Sequence, residues 1–217
     1  MLEINNITKH YHKGSAIFTA LDNISLKVEN GDYIVITGPS GAGKSTLLYI
    51  TGGMINPDSG EVKFKGENIY NLNNKEKNQY RKEHIGFVFQ QFHLMPFLTV
   101  KENIKLACYD RSHLDMIDSY LEKCSLTSLK DKFPSELSVG EKQRTAFVRA
   151  IITSPDLLLA DEPTGNLDPE NSEILMQLMD DFHKNGGTIL LVSHNPGAYK
   201  YAGKQIILNK GKISDNK

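Results

Sequence analysis

The chain has 217 residues, 39% hydrophobic and 24% charged, which suits a soluble globular protein of one large domain or one domain with an inserted lobe. Its formal net charge of −1 gives no overall electrostatic case for nucleic acid or an anionic membrane surface. No apolar run is long enough to span a bilayer, and Met1–Asn6 reads as a strand rather than a signal peptide.

Short β patterns open the chain, at Leu2–Thr8, Ile24–Val28 and Tyr33–Thr37. His10 and His12 flank Tyr11 without a third ligand nearby, so solvated side chains on one strand face are expected rather than a metal site. After Tyr33–Thr37 come Gly38, Pro39, Ser40, Gly41, Ala42, Gly43, Lys44, Ser45 and Thr46, which fit the phosphate-loop pattern G-x-x-x-x-G-K-[ST] at every fixed position. Helix-forming residues follow. Glycines let such a loop curl its N–H groups inward, and the helix N-terminus adds partial positive charge at the same spot. Lys44 is then expected to reach the β- and γ-phosphates of a nucleoside triphosphate, and the Ser45 hydroxyl to ligate Mg²⁺. How the energy is used stays open at this point.

Asn56–Gly60 reads as a turn, Glu61–Lys65 as a strand, and the polar stretch Asn71–Glu83 as a solvated helix. Gly86–Phe89 returns to strand, with Gln90 at its end. From about Val100 to Phe133 the pattern is helical, and Leu114, Ile117 and Leu121 fall on one predicted face. Cys108 and Cys124 lie in helix-like segments without CxxC spacing and read as small buried apolar residues. Ser138–Ile152 is a further helix, and Leu157–Ala160 is an apolar strand ending in Asp161 and Glu162. Ile174, Leu175, Leu178, Met179 and Phe182 mark the buried face of the next helix, before strands at Thr188–Ser193 and Gln205–Leu208. Strands alternating with helices imply a mostly parallel sheet covered on both faces, with a helical lobe inserted. Asp161 falls at a strand's C-terminal edge, where it can hold Mg²⁺, directly or through water, against Ser45. Glu162 is free to polarise a water that attacks the γ-phosphate.

Leu137-Ser138-Val139-Gly140-Glu141-Lys142-Gln143-Arg144 resembles the signature of ATP-binding cassette (ABC) ATPases, usually Leu-Ser-Gly-Gly-Gln. Ser193-His194 is similar to that family's switch histidine, Gly165-Asn166-Leu167-Asp168 to its D-loop, Gln90 to its Q-loop, and Tyr11 to the aromatic that stacks on adenine. With the phosphate loop and Asp161-Glu162, the motifs run in the family's order along almost the whole chain. The resemblance implies an α/β P-loop NTPase cassette with a mostly parallel core sheet, an N-terminal antiparallel β region and an inserted α-helical lobe. It implies one ATP-binding domain over 1–217, with a core of 1–90 and 155–217 and a lobe of 91–154 that carries the signature.

The same resemblance implies ATP and Mg²⁺ as ligands. Lys44, Glu162 and His194 would be catalytic. Ser45, Gln90 and Asp161 would surround Mg²⁺. Tyr11, Gly38–Thr46 and Gln90 would bind the nucleotide together with Ser138 and Gly140, which would come from a second cassette. Plainer readings stand beside these. Tyr11 can be a strand tyrosine packed on a neighbour, and His194 an ordinary hydrogen-bonding residue. Ser138 with Glu141 is also a generic capping box, which leaves Leu137, Gly140, Gln143 and Arg144 unexplained. Val139 and Glu141 depart from the usual signature, and reduced turnover at worst is expected from them.

Phe87–Asn103 and Ala160–Asp168 are similar to a subgroup serving macrolide-export, lipoprotein-release and antimicrobial-peptide-resistance transporters, although the lobe at 100–136 is shorter than is common there. In such systems this segment faces a separate permease. Phe92, Leu94, Met95, Phe97 and Leu98 are either that surface or ordinary lobe core. The resulting expectation is an ATP-hydrolysing motor, homodimeric around two ATPs, held at the cytoplasmic face of the membrane through its permease, exporting or extracting a hydrophobic, peptide or lipoprotein cargo, with no nucleic-acid partner. The rivals are a cell-division-type cassette that transmits motion without transport, and a P-loop kinase, against which the signature and switch histidine argue.

Overall fold

The computed structural model describes residues 1–14 and 16–214. In chain order its first half holds β1 (Leu2–Lys13), β2 (Ala16–Val28), β3 (Tyr33–Thr37), α1 (Lys44–Thr51), β4 (Ser59–Phe64), β5 (Glu67–Asn68), α2 (Asn74–His84), β6 (Ile85–Val88) and α3 (Val100–Lys105). Then follow α4 (Arg111–Lys123), α5 (Val139–Ile151), β7 (Leu157–Asp161), α6 (Pro169–Lys184), β8 (Thr188–Val192), β9 (Lys204–Asn209) and β10 (Lys212–Ser214).

Two sheets organise these elements. One is four-stranded and antiparallel, in the order β2-β1-β4-β5; the other is six-stranded, in the order β10-β9-β3-β8-β7-β6. In the second, β9, β3, β8, β7 and β6 run parallel and only β10 is antiparallel. Strands β3, β7 and β8 are buried at every position, as a parallel sheet covered on both faces demands. Their side chains nevertheless alternate between two separate cores. Tyr33, Val35, Leu158, Ala160, Ile189 and Leu191 face α3, α4, α5 and α6. Ile34, Ile36, Leu157, Leu159, Leu190 and Val192 face α1 and the antiparallel sheet. The helical lobe thus rests on one face of the sheet, and the phosphate loop after β3 opens towards the other.

The structure departs from the sequence expectations in four places. β1 and β2 run well past Thr8 and begin well before Ile24, forming a long hairpin in which Tyr11 pairs with Phe18. The pattern at Lys9–His12 is polar because these residues pair through the backbone and bury little. His12 is exposed, while His10 is half-buried with Nδ1 3.1 Å from Thr19 Oγ1. In α4 the buried line is His113, Ile117 and Leu121, four residues apart, and Leu114 points outward at 44% exposure. Of the two cysteines only Cys124 is fully buried; Cys108 is half-buried. On α6, Leu175, Met176 and Met179 are buried, whereas Ile174, Leu178 and Phe182 are half-buried.

Candidate active site

A side chain caps each of α2 to α6: Asn73, Thr99, Asp110, Ser138 and Asp168 accept hydrogen bonds from the first-turn N–H groups. Helix α1 has no such cap. It starts at Gly43, left-handed at φ 101°, and no side chain answers its first-turn donors. Free N–H groups at the positive end of a helix form a site for an anion. The loop can reach this shape only with glycine. A Cβ on Gly43 would lie 2.1 Å from the Ala20 carbonyl oxygen, and one on Gly38 (φ 141°) would lie 1.9 Å from that of Leu208.

Lys44 is 5% exposed, and its ammonium donates to the Gly38 and Pro39 carbonyls at 2.9 and 3.0 Å. Burial pushes its pKa down from the ordinary lysine value, while the Glu162 and Asp161 charges pull it back up. The cation is held at the loop by two neutral acceptors, which leaves its charge available to a phosphate.

Alternation along β7 sends Asp161 to the same face as Leu157 and Leu159, towards α1. There Oδ1 accepts from Ser45 Oγ and Oδ2 from the Tyr49 hydroxyl, each at 2.9 Å. Ser45 and Tyr49 are one helical turn apart on α1, so both reach the same carboxylate. Burial first, and the Asp161 charge second, push the Tyr49 phenol up to about 12, so it stays a donor. Among the described residues no group of three or more His, Cys, Asp or Glu side chains is placed to hold a metal. A hydroxyl touching one carboxylate is instead the donor set of Mg²⁺, which takes few protein oxygens and completes its shell with substrate phosphates and water. Ser45 and Asp161 therefore fit that ion.

Glu162 follows with φ 47°, a left-handed conformation that is uncommon outside glycine and gathers at functional sites. Its N–H donates to the Val192 carbonyl at 2.9 Å, and its Oε1 lies 3.0 Å from Nε2 of His194, just beyond β8. The Glu162 side chain borders two cavities. One, of about 220 Å³, is formed by the phosphate loop with Tyr11, Phe18 and Ala20. The other, of about 450 Å³, holds His194, Ser193, Thr164 and Gly165.

The structure thus brings together Ser45 with Asp161, Glu162 with His194, and Tyr11 with the phosphate loop. Gln90 does not line the phosphate-loop cavity. It is exposed beyond the end of β6, its carbonyl accepts from Asn166 Nδ2 at 3.2 Å, and a methyl on Gly165 would come within 3.0 Å of its amide nitrogen.

Ser138 and Glu141 form the capping box: Glu141 N donates to Ser138 Oγ at 3.3 Å and Ser138 N to Glu141 Oε2 at 2.7 Å. The other signature residues, which that box leaves unexplained, have partners within the same chain. Leu137 is buried in the lobe-side core. A Cβ on Gly140 would sit 2.1 Å from Asn171 Oδ1, so glycine lets α5 approach the start of α6. Arg144 donates to that same Oδ1 at 2.8 Å and to the Cys124 carbonyl at 3.1 Å. Gln143, fully buried, donates to the Phe89 carbonyl at 3.2 Å. Val139 is 44% exposed at the first turn, where its branched side chain meets solvent. Neither Ser138 nor Gly140 borders the phosphate-loop cavity of its own chain.

The apolar cluster at 92–98 is surface. Met95 and Phe97 are 41% and 71% exposed, and Phe92, Leu94 and Leu98 are half-buried and belong to neither core. Arg149 holds the segment from below, donating to the Phe92 and His93 carbonyls at 2.9 and 2.7 Å. Buried Asn103 binds the main chain of Met95 and Leu98.

Two residues of this region escaped the sequence reading. Tyr49 was hidden in an ordinary helix pattern, and its spacing of four from Ser45 was the available signal. Phe18 lies opposite Tyr11 on β2, and the largely apolar run Ala16–Leu21 was the available signal.

A family model described as ABC transporter matches residues 21–165. The chain is 38% identical over 221 residues to the macrolide export ATP-binding/permease protein MacB of Chlorobaculum tepidum, a match covering all of this chain and 34% of that protein. It is 40% identical over 218 residues to the uncharacterised ABC transporter ATP-binding protein MJ1508 of Methanocaldococcus jannaschii, covering 98% of this chain and 97% of the relative. The chain therefore spans about a third of the first relative's length and nearly all of the second's. Among solved structures, the dimeric post-hydrolysis state of the ATP-binding cassette MJ0796 of M. jannaschii, bound to ADP and Pi, superposes with a TM-score of 0.92 at 33% identity, covering 100% of this chain and 98% of that one.

Proposed function

The chain belongs to the ABC transporter family of ATP-binding cassettes, and from that premise we propose that it is the ATP-hydrolysing motor of a membrane transporter, working in a dimer on a separate permease. The observation that carries this reading is the uncapped N-terminus of α1, with Lys44 beside it and the Ser45–Asp161 pair below.

In this reading residues 1–217 form one cassette, its core at 1–90 and 155–217 and its lobe at 91–154. The free N–H groups of α1 and the Lys44 ammonium receive the β- and γ-phosphates. Tyr11 and Phe18 flank the base. Ser45 and Asp161 hold Mg²⁺, with Gln90 joining them when the lobe moves; the bound ion neutralises phosphate charge. Glu162 takes a proton from the attacking water, and His194, 3.0 Å away, fixes the carboxylate and faces the γ-phosphate. Ser138 and Gly140 of a second copy cover the phosphates from outside. Two facts support that sharing: neither residue borders the cavity of its own chain, and the relative MJ0796 is dimeric with ADP and Pi.

Among the described residues no helix is long and apolar enough to cross a membrane. The proposed seat is the cytoplasmic face of the membrane, through contact with the permease, and the exposed Met95 and Phe97 offer the surface for it. The proposed task is export or extraction of a hydrophobic, peptide or lipoprotein cargo, and the macrolide-export name of one relative supports the direction of export.

Glu162→Gln tests the motor. The variant is expected to run as a dimer on gel filtration with ATP and as a monomer without it. A chain that stays monomeric with ATP bound would refute the shared site. Transport in vesicles carrying a permease that co-purifies with the chain separates a transporter from a cassette that only transmits motion: a vesicle signal dependent on Glu162 supports the first, and its absence the second.

A further inference from the structure

A ligating carboxylate is only as well placed as its plane, and the terminal torsion of an Asp side chain is broad, with little intrinsic preference. Asp161 is 6% exposed and ends β7, and each of its oxygens has a separate donor from α1. Ser45 takes Oδ1, the oxygen that would turn to Mg²⁺. Tyr49 takes Oδ2. The phenol making that second bond is itself held in place. Its ring lies 5.6 Å from Phe87 and 6.4 Å from Phe89, and those two rings stack at 4.2 Å. The Phe89 carbonyl is in turn fastened by Gln143. Rigid aromatic packing thus aims one hydroxyl at one oxygen.

We propose that Tyr49 is a positioning residue for the metal site: by donating to Asp161 Oδ2 it fixes the carboxylate plane so that Oδ1 faces Ser45 Oγ and the ion. The proposal rests on the reading of Ser45 and Asp161 as Mg²⁺ ligands. Hydrogen bonds to ligating groups matter because each rotation they prevent need not be frozen when the metal arrives, and removing such a partner weakens metal binding by roughly 10- to 100-fold.

The test uses the full chain with Mn²⁺ as probe, following free Mn²⁺ by electron paramagnetic resonance during titration with a non-hydrolysable ATP analogue present. Binding of the analogue without metal is measured in parallel. Tyr49→Phe keeps the ring and its packing and removes only the hydroxyl. It is expected to weaken Mn²⁺ binding by about tenfold or more while metal-free analogue binding and the melting temperature of the apo protein stay near those of the wild type. Tyr49→Leu, which loses ring and hydroxyl, is expected to lose metal affinity to the same degree and stability in addition. If Tyr49→Phe holds Mn²⁺ as the wild type does, the proposal is wrong, and a loss seen only in Tyr49→Leu would assign Tyr49 to packing alone. Failure of the wild type to bind the analogue would instead overturn the nucleotide-site reading.

Discussion

Replacing Gly140 by alanine separates two roles of a signature glycine. The added methyl would lie 2.1 Å from Asn171 Oδ1, so Asn171 must swing away. In moving it gives up the 2.8 Å bond from Arg144 and its own 2.7 Å bond to Asp168. The bond from Arg144 is part-buried and comes from a charged group, so it contributes about 2 kcal/mol, whereas the bond to Asp168 lies in solvent and adds little. Against a loss of about 2 kcal/mol stands a gain of up to about 1 kcal/mol from alanine's better helix propensity. Gly140→Ala is therefore expected to destabilise by about 1 kcal/mol in urea denaturation. In an Asn171→Ala background the obstruction is gone, and the same change should be neutral or stabilising. The coupling between the sites is thus about 1–2 kcal/mol, above the few tenths expected of independent positions. Equal costs in both backgrounds would refute the packing argument. ATPase activity adds a second readout: if Gly140 also approaches a partner's nucleotide, turnover stays impaired in the stable double variant.

Three further outcomes follow from the same geometry. Gly43→Ala forces a left-handed alanine, costing about 1–2 kcal/mol before its contact with the Ala20 carbonyl is counted, and calorimetric titration should show nucleotide binding lost. In the α4 pair, Ile117→Ala is expected to cost about 3 kcal/mol, whereas Leu114→Ala, two-fifths exposed, should stay within about 0.5 kcal/mol by chemical denaturation. The Asn171 backbone N–H first, then its side-chain amide, holds the Asp168 carboxyl below the usual range. A depressed pKa gives stability that is present above the unfolded value near 3.9 and lost as pH falls through the folded one. Asp168→Ala should accordingly lower the melting temperature at pH 7, with the difference from the wild type shrinking as pH falls below the unfolded value.

The phosphate loop was legible because its requirements are local. Gly38 and Gly43 are fixed by their own left-handed backbone and by carbonyls too close for a Cβ, so the pattern survives in the order of residues alone. The buried strands were legible for a similar reason: Leu157–Ala160 has no polar residue to suggest solvent. What stayed hidden depends on partners distant in sequence. Gly140, Gln143 and Arg144 match a signature, yet nothing near them names Asn171, Phe89 or Cys124 as what they touch. The hairpin beyond Thr8 is held by main-chain pairing, which leaves no periodicity in polar side chains. Leu114 misled because it shares a spacing of three with Ile117. The helix instead buries His113, whose ring meets Tyr109 edge-on at 4.4 Å and fills the inner line.

The two-sided character of β7 limits how this region can change over evolutionary time. Leu158 and Ala160 belong to the lobe's core, Leu157 and Leu159 to the nucleotide side, and Asp161 continues the second series. Substitution among aliphatic residues leaves that assignment intact. Deletion or insertion of one residue does not: every side chain after it changes face, and the carboxylate would turn from Ser45 towards the lobe. Lineages of this chain can vary the lettering of β7 freely while its length is held fixed, and gaps in an alignment should accumulate in the loops around the strand and avoid its interior.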